Sequence, residues 1–176
     1  MNLNFSDEQN LLRDSVSRFC TSDYDFETRM KSVNSDSGFS KEHWKLFADL
    51  GWLAVPFDEE LGGLGGDVLD LSILFEEFGK SIVVEPYLAN VVLAGGVLKR
   101  SGFDKKDEYL SSIVSGEKQF SLANYEPEKG YNLENIETVL DDKGLLNGSK
   151  STVLNAPNAD YLSLIHISEP TRHASI

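Results

Sequence analysis

The stretch QFSLANYEPEKGYN, from Gln119 to Asn132, marks the point where the sequence changes from helical to strand periodicity. Before it, apolar residues recur every three or four positions, which is typical of amphipathic helices. Within it, larger side chains alternate with small ones from Phe120 to Asn124, which favours a half-buried strand. We therefore expect a helical layer to meet a sheet here, and such seams commonly hold ligands.

Composition and charge exclude several classes of protein. The 176 residues carry 16 Lys and Arg against 29 Asp and Glu, a net charge of −13, and 40% of them are hydrophobic. This balance predicts a folded core and argues against nucleic acid or an anionic membrane as partner, since both favour a basic face. No window approaches the roughly 18 apolar residues of a membrane span. The single cysteine, Cys20, cannot form an internal disulfide, so we expect it to be buried in a protein of the reducing cytoplasm.

The first part of the chain carries the start and stop signals of successive helices. Ser6 and Gln9 predict a capping box for the first helix, and Gly51 is typical of a helix C-terminus. Glycine at position 79 is expected to end a central apolar helix, and Pro86 to begin the next. The helical segments predicted after the first are 23–31, 41–50, 67–78, the run that follows Pro86, and 105–114.

Several residues that could suggest chemistry favour structural roles instead. The loop GGLGG at 62–66 lacks the GxGxxG spacing of a dinucleotide site and the Lys of a P-loop, so tight turns are the better interpretation. His43 has no second ligand-type residue at a suitable spacing, which predicts a surface or cap-adjacent role. Glu76 and Glu77 are expected on the solvated face of their helix.

The segment after Gln119 predicts short strands. Glu137 to Leu140, then DDKG, then Leu145 and Leu146 indicate a hairpin closed near Gly144. The dipeptide Asn-Gly at 147–148 predicts a turn into a further strand at 150–154. These strands are too few to close a sheet, so we expect an α+β chain whose sheet domain is cut short.

The C-terminal stretch LSLIHISEPTRHASI, residues 162–176, has no sustained periodicity. Its first eleven residues look like the translation of a transposase adapter used in preparing sequencing libraries. We expect a non-native tail, with the native frame ending near Tyr161, and therefore set aside a metal site at His166 and His173. A natural tail that ends in a short strand is the alternative.

The segments SDEQNLLRDSV, VPFDEELGGLGG, LFEEFGKSIVVEPYLAN, YEP, LNGSK and NAPNAD together closely resemble an acyl-CoA dehydrogenase, from Leu3 to Tyr161. Within that family, MNLNFSDEQNLLRDSV and VVEPYL are similar to the small-subunit type. The resemblance implies a helical N-terminal domain at 1–117 and a truncated, β-barrel-like middle domain at 118–161. It further implies a C-terminal helical bundle beyond them.

The resemblance also implies a reaction and a cofactor. FAD would lie between the middle domain and the bundle, with acyl-CoA beside the helices of the first domain. A carboxylate takes the α-proton of the thioester while the flavin accepts a hydride from the β-carbon. That carboxylate belongs to the bundle, so no catalytic residue is assigned, and this chain by itself is expected to be inactive. Val91, Val92 and Ala94 are candidates for the acyl pocket or, equally, for the core.

The family's motifs carry flavin contacts onto particular positions. Its TEP element falls on residues 125–127, its GSD element on 130–132, and its aromatic-Ile-Thr element on 152–154. Bulky or apolar residues replace short hydroxyl side chains at positions 125, 131 and 154, and core or edge packing is the alternative for the two tyrosines. The cofactor-binding candidates are Leu122, Asn124, Tyr125, Gly130, Tyr131, Thr152 and Leu154.

Three functions remain open from the resemblance. The parent protein is a subunit of a FAD-dependent acyl-CoA dehydrogenase, a non-catalytic partner subunit of a heteromeric one, or a flavin oxidase or monooxygenase on the same scaffold. The implied partners are an acyl-CoA substrate, further copies or a large subunit in an oligomer, and electron-transfer flavoprotein or a similar acceptor.

Overall fold

The structure is a computed structural model that describes residues 5–129, 136–165 and 167–168, the last pair by backbone alone. Within these ranges there are six α-helices, a π-helix at Leu88–Ala94 that runs directly into α5, and five short strands. The helices are α1 Asp7–Ser22, α2 Phe26–Val33, α3 Lys41–Asp49, α4 Val68–Ser81, α5 Gly95–Arg100 and α6 Lys106–Val114. The strands are β1 Phe120–Ala123, β2 Val139–Leu140, β3 Leu146–Asn147, β4 Tyr161–Leu164 and β5 Ile167–Ser168. No helix in the described part of the chain is both long and apolar enough to cross a membrane.

The helix boundaries confirm part of the sequence prediction and correct part of it. The capping box of α1 is present, because the Ser6 hydroxyl accepts from the Gln9 N–H at 3.2 Å and the Gln9 side chain accepts from the Ser6 N–H at 3.0 Å. Helix α2 begins at Phe26 and not at 23, since the Asp25 carboxylate caps it. Helix α4 runs past Gly79 to Ser81, and the left-handed residue that follows it is Ile82, at φ 53°.

The core is a cluster of aromatic rings where α1, α3, α4 and the segment after Gly51 meet. Phe47 is fully buried, and the centroid of its ring lies 4.9 Å from that of Trp52 and 5.3 Å from that of Phe78. Cys20 is buried beside this cluster, as the sequence predicted. Aromatic side chains bury large apolar areas, so this cluster contributes most to holding the helices together.

The prediction that Glu77 is solvated was wrong, whereas Glu76 is exposed as expected. Glu77 is 4% exposed because it lies one helical turn after Ile73, on the face of α4 that packs on the core. The Lys80 ammonium lies 2.6 Å from its carboxylate and neutralises the charge from the solvent side.

The glycine-rich loop is a compact turn that uses up its own backbone donors. All five amide N–H groups of residues 62–66 donate to carbonyl oxygens between Ala54 and Glu59, at 2.7 to 3.0 Å. Gly62 and Gly65 adopt φ values of 78° and 64°, which other residues reach only with strain. No amide of this loop is left to hold a phosphate, so the tight-turn prediction is confirmed.

The strands form two small sheets. β1 pairs in parallel with β4, with Phe120 opposite Tyr161, and β2 pairs with β3 in the predicted hairpin, with Gly144 at φ 77° in its turn. β5 lies on the other side of β2. The strand predicted at 150–154 was wrong. Thr152 and Asn155 have φ values of 52° and 58°, which break the extended backbone between β3 and β4.

Gly63 is the position where the glycine-rich turn cannot accept a side chain. A Cβ at Gly63 would lie 2.1 Å from the carbonyl oxygen of Phe57, so Gly63→Ala should lower the free energy of unfolding by about 3 kcal/mol. Gly79→Ala is the matched control, because a Cβ there meets nothing within 4 Å inside a helix. That variant should gain about 0.5 to 1 kcal/mol. Urea denaturation measures the free energy of unfolding of both variants. Equal stability of the two would contradict the conclusion that the turn has no room for a side chain at Gly63.

Candidate cofactor site

Strand β1 is clamped at its start by two buried polar interactions. The side-chain oxygen of Asn90, on the π-helix, accepts from the Phe120 N–H at 3.0 Å, and its amide nitrogen donates to the Lys118 carbonyl at 3.3 Å. From the other side, the Asp160 carboxylate accepts from the Gln119 N–H at 2.8 Å, and the Gln119 carbonyl accepts from the Asp160 N–H at 2.8 Å. The helical layer therefore meets the strands at the predicted seam.

The two faces of β1 differ in accessibility. Phe120 and Ala123 are almost fully buried, and the ring of Phe120 stacks on Tyr161 with centroids 5.0 Å apart. Because side chains alternate along a strand, Ser121 and Ala123 share the buried face, whereas Leu122 and Asn124 share the face of Phe120 and, unlike Phe120, are partly exposed. The side-chain amide of Asn124 has no hydrogen-bond partner among the described residues. This face offers an apolar surface beside an available amide.

The Glu126 carboxylate connects the segment after β1 to the residues just before β2 and to Lys150. The carboxylate accepts from the Lys150 ammonium at 2.8 Å, from the Thr138 hydroxyl at 2.5 Å and from the backbone N–H groups of Glu137 and Thr138 at 2.7 and 2.9 Å. The Lys150 ammonium, with these donors, lowers the pKa of Glu126 from its ordinary value to about 2. The side chains of Glu126 and Lys150 are each 6% exposed, so this charge pair lies mostly out of the solvent. It sets the path of the chain leaving β1.

The structure brings together only some of the residues predicted to contact the cofactor. Leu122, Asn124 and Tyr125 lie together at the end of β1. The Tyr125 carbonyl accepts from the Ser151 N–H at 2.9 Å, which places the segment carrying Thr152 beside it. Thr152 itself is exposed.

Of the remaining predicted cofactor residues, the structure describes Leu154. Leu154 lines a separate cavity of about 270 Å³, together with Leu88 and Ala89 of the π-helix. Gly130 and Tyr131 lie outside the described residues. Val91 and Ala94 are fully buried, which favours the core alternative for both, while Val92 is partly buried.

His43 lies beside the helix cap, as predicted, since its N–H donates to the Ser40 hydroxyl at 3.2 Å, and its ring belongs to a second polar cluster. Its side chain is only 18% exposed, and its Nδ1 lies 3.3 Å from the fully buried carboxylate of Glu85. That carboxylate also accepts from the Tyr24 hydroxyl at 2.9 Å, and burial raises the pKa of Tyr24 well above its ordinary value. The cluster lies under the wall of the cavity that Leu154 lines, to which Glu85 contributes.

Sequence reasoning missed the residues that position β1, although the sequence carried a signal for some of them. Asn90 interrupts an otherwise apolar helical run, LANVVLA, and a polar residue at a core position needs a hydrogen-bond partner. Asp160 and Lys150 had no comparable signal, because their partners are distant in sequence.

Comparisons with known proteins agree with this architecture. Residues 6–117 match the model of the acyl-CoA dehydrogenase N-terminal domain. The chain is 32% identical over 162 residues to the caffeyl-CoA reductase-Etf complex subunit CarC of Acetobacterium woodii, which covers 89% of this chain and 42% of that protein. The FAD complex of PigA superposes with a TM-score of 0.82 at 27% identity, over 97% of this chain and 46% of that one. The ChsE4-ChsE5 complex from Mycobacterium tuberculosis gives 0.80 at 26%, over 97% and 44%.

A helical domain that leads through a clamped strand into a small sheet is thus the first part of a known flavoprotein fold. The chain belongs to the acyl-CoA dehydrogenase family, since the family's N-terminal model covers more than half of it. It spans less than half the length of the relatives it matches.

The Glu126 network should make stability depend on pH. Because its pKa falls from 4.5 to about 2 on folding, the ionised carboxylate stabilises the fold above pH 4.5, and this contribution is lost as the pH falls toward 2. Glu126→Gln should therefore be less stable than the native chain at neutral pH, and the difference should shrink steadily below pH 4.5. Urea denaturation at a series of pH values measures this difference in the free energy of unfolding, with Glu60→Gln, a substitution of an exposed residue, as the control. A difference that stays constant from about pH 5 to about pH 2.5 would contradict the role of the charge.

Proposed function

We propose that the parent protein is a FAD-dependent acyl-CoA dehydrogenase, and that this chain supplies its helical domain and the first part of its flavin-binding domain. The observation that carries the proposal is the accessible face of β1. That face is held between Asn90 and the Glu126 network, at a seam within the 97% of the chain that superposes on a FAD complex.

The described residues fit one side of a flavin ring. Leu122 offers apolar contact, and the Asn124 amide can both donate to and accept from ring heteroatoms. Tyr125 and Thr152 adjoin this face through the hydrogen bond between the Ser151 N–H and the Tyr125 carbonyl. When bound, FAD supplies the hydride acceptor of the reaction. Leu154, Gly130 and Tyr131 complete the proposed set of cofactor residues by resemblance.

The acyl chain of the substrate has a suitable place beside the π-helix. The cavity of about 270 Å³ there is walled by apolar side chains of Val84, Leu88, Ala89 and Leu154. The carboxylate of Glu85, which also lines it, has both oxygens engaged by Tyr24, Ser40 and His43. Glu85 therefore acts in shaping this wall, and the base that removes the α-proton is assigned to the C-terminal bundle.

We further propose the division of the chain and its assembly. The helical domain is 1–117, the start of the middle domain is 118–161, and 162–176 is a non-native tail. Pairing of residues 162–164 with β1 uses backbone groups, which any sequence supplies, so it is compatible with that origin. By resemblance of its N-terminal segments, we propose a subunit of the pimeloyl-CoA dehydrogenase small-subunit type, which works in the cytoplasm with a large subunit. The name of the CarC complex, which includes Etf, supports association with electron-transfer flavoprotein, and the ChsE4-ChsE5 complex supports a heteromer.

A non-catalytic partner subunit is the second candidate. Short hydroxyl side chains of the family's flavin motifs are replaced here by Tyr125, Tyr131 and Leu154, which removes one hydroxyl donor and puts the other two on much larger side chains. Such a subunit would stabilise a catalytic partner without turning over substrate itself.

Anaerobic reduction of the parent protein separates these functions. With FAD bound, adding acyl-CoA without O₂ should bleach the visible flavin absorbance, because electrons move from the thioester to the flavin. A slow return of colour on admitting air is expected of a dehydrogenase. Rapid reoxidation would indicate an oxidase or monooxygenase. Flavin that stays oxidised with every acyl chain length tested would overturn the catalytic proposal and leave the partner role.

The chain by itself should not retain the cofactor. With only the β1 side of the site present, most of the ring would face water, so we expect no stoichiometric FAD after gel filtration of residues 1–161. The absorbance spectrum of the eluted protein measures this. A stoichiometric yellow complex would show that this half of the site suffices.

A further inference from the structure

A second cavity borders the seam, and its lining has Phe39 in common with the proposed acyl cavity but none of the proposed cofactor residues. It has a volume of about 610 Å³ and is enclosed by α3, the turn after α6 and the turn before β4. Phe39, Trp44 and Pro157 contribute apolar surface, whereas Lys41 and Gln119 contribute hydrogen-bond donors. Nothing in the proposed reaction uses this cavity.

Gln119 presents an unused donor to the cavity. The residue is 8% exposed, and its side-chain oxygen accepts from the amides of Asn90 and Asn155, each at 3.3 Å. These two donors fix the orientation of the Gln119 amide, so that Nε2 is its free end. Nε2 has no hydrogen-bond partner among the described residues, so it is available to donate to a molecule in the cavity.

Trp44 adds a second unpaired donor beneath the same cavity. The residue is 3% exposed, and its indole N–H is buried without an acceptor in the described part of the chain. Gly116, which also lines the cavity, covers it closely, since a Cβ there would lie 3.5 Å from the indole nitrogen. The indole resonance of Trp44 therefore reports on anything that enters.

Among the charged residues around the cavity, Lys41 is the cation available to bind a ligand, as the ion pairs of the described residues show. Lys41 is exposed and has no carboxylate partner among the described residues, whereas Lys45 is paired with Asp49 at 2.9 Å. The Asp160 carboxylate is taken up by the Gln119 N–H and by Lys118. Glu117 contributes an exposed carboxylate without a partner in the described chain, and water can solvate it.

We propose that this cavity binds a small monocarboxylate with an aromatic or compact apolar body. The carboxylate accepts from Gln119 Nε2 and from the Lys41 ammonium, and the body lies against Phe39, Trp44 and Pro157. Carboxylates form the strongest hydrogen bonds with such donors, because the acceptor is charged. The proposal is independent of the flavin chemistry, so either can fail without the other.

Titration of the chain with benzoate, followed by the Trp44 indole and Gln119 side-chain amide resonances in ¹H–¹⁵N spectra, tests the proposal. Benzoate should shift both resonances saturably, and the isosteric neutral amide benzamide should bind at least about tenfold more weakly. Acetate, which lacks the apolar body, should also bind more weakly. Equal binding of benzoate and benzamide, or the absence of any saturable shift, would overturn the proposal and leave a cavity filled only by water.

Two variants locate the carboxylate. Gln119→Glu keeps the oxygen that accepts from Asn90 and Asn155 but replaces the free donor with an anionic oxygen, so benzoate affinity should fall by at least about tenfold. Lys41→Met should reduce affinity by about threefold, and Lys143→Met, an exposed lysine in the β2–β3 turn, should leave it unchanged. Because Lys41 is on the surface, its variant tests the site even where the Gln119 variant loses its fold. Unchanged affinity in Lys41→Met would contradict the placement.

Discussion

The position of strand β1 against the helices depends on the hydrogen bonds of the buried Asn90 side chain. Asn90 satisfies the Phe120 N–H and the Lys118 carbonyl at the point where β1 has no strand neighbour for those groups. Leaving them unpaired in the interior would cost about 1 to 3 kcal/mol each. The π-helix inserts one extra residue per turn relative to an α-helix, and irregularities of this kind are frequent at functional sites. Here it carries Asn90 to the seam, while Leu88 and Ala89 line the cavity nearby.

The Glu126 network performs the same task at the other end of β1, with charge instead of neutral amides. One carboxylate gathers Lys150, Thr138 and the backbone before β2, so three segments that are distant in sequence converge. A mostly buried ion pair is favourable only when its remaining hydrogen-bonding groups are satisfied, and here the hydroxyl and two backbone amides do so. Positioning of the cofactor face therefore rests on residues that do not lie on that face.

Sequence patterns predicted the local structure best where the deciding partners were near in the chain. The capping box of Ser6, the glycine-rich turn and the hairpin at Gly144 are all closed by hydrogen bonds within a few residues. Predictions failed where a distant partner decided. Gly79 does not end α4, which continues to Ser81, and Glu77 is buried because its face of α4 packs on the core.

The sequence by itself determined the succession of helices, the strand that begins at the Gln119 seam, the β2–β3 hairpin and the family, because these follow from periodicity, turn chemistry and motifs read along the chain. The tertiary structure alone decided how accessible each face of β1 is, that Leu154 lines a cavity beside the π-helix, and that Gln119 lines a second cavity. The physical reason is that burial and hydrogen-bond satisfaction depend on groups that the fold brings together from distant positions. A local sequence pattern does not show which distant groups come together.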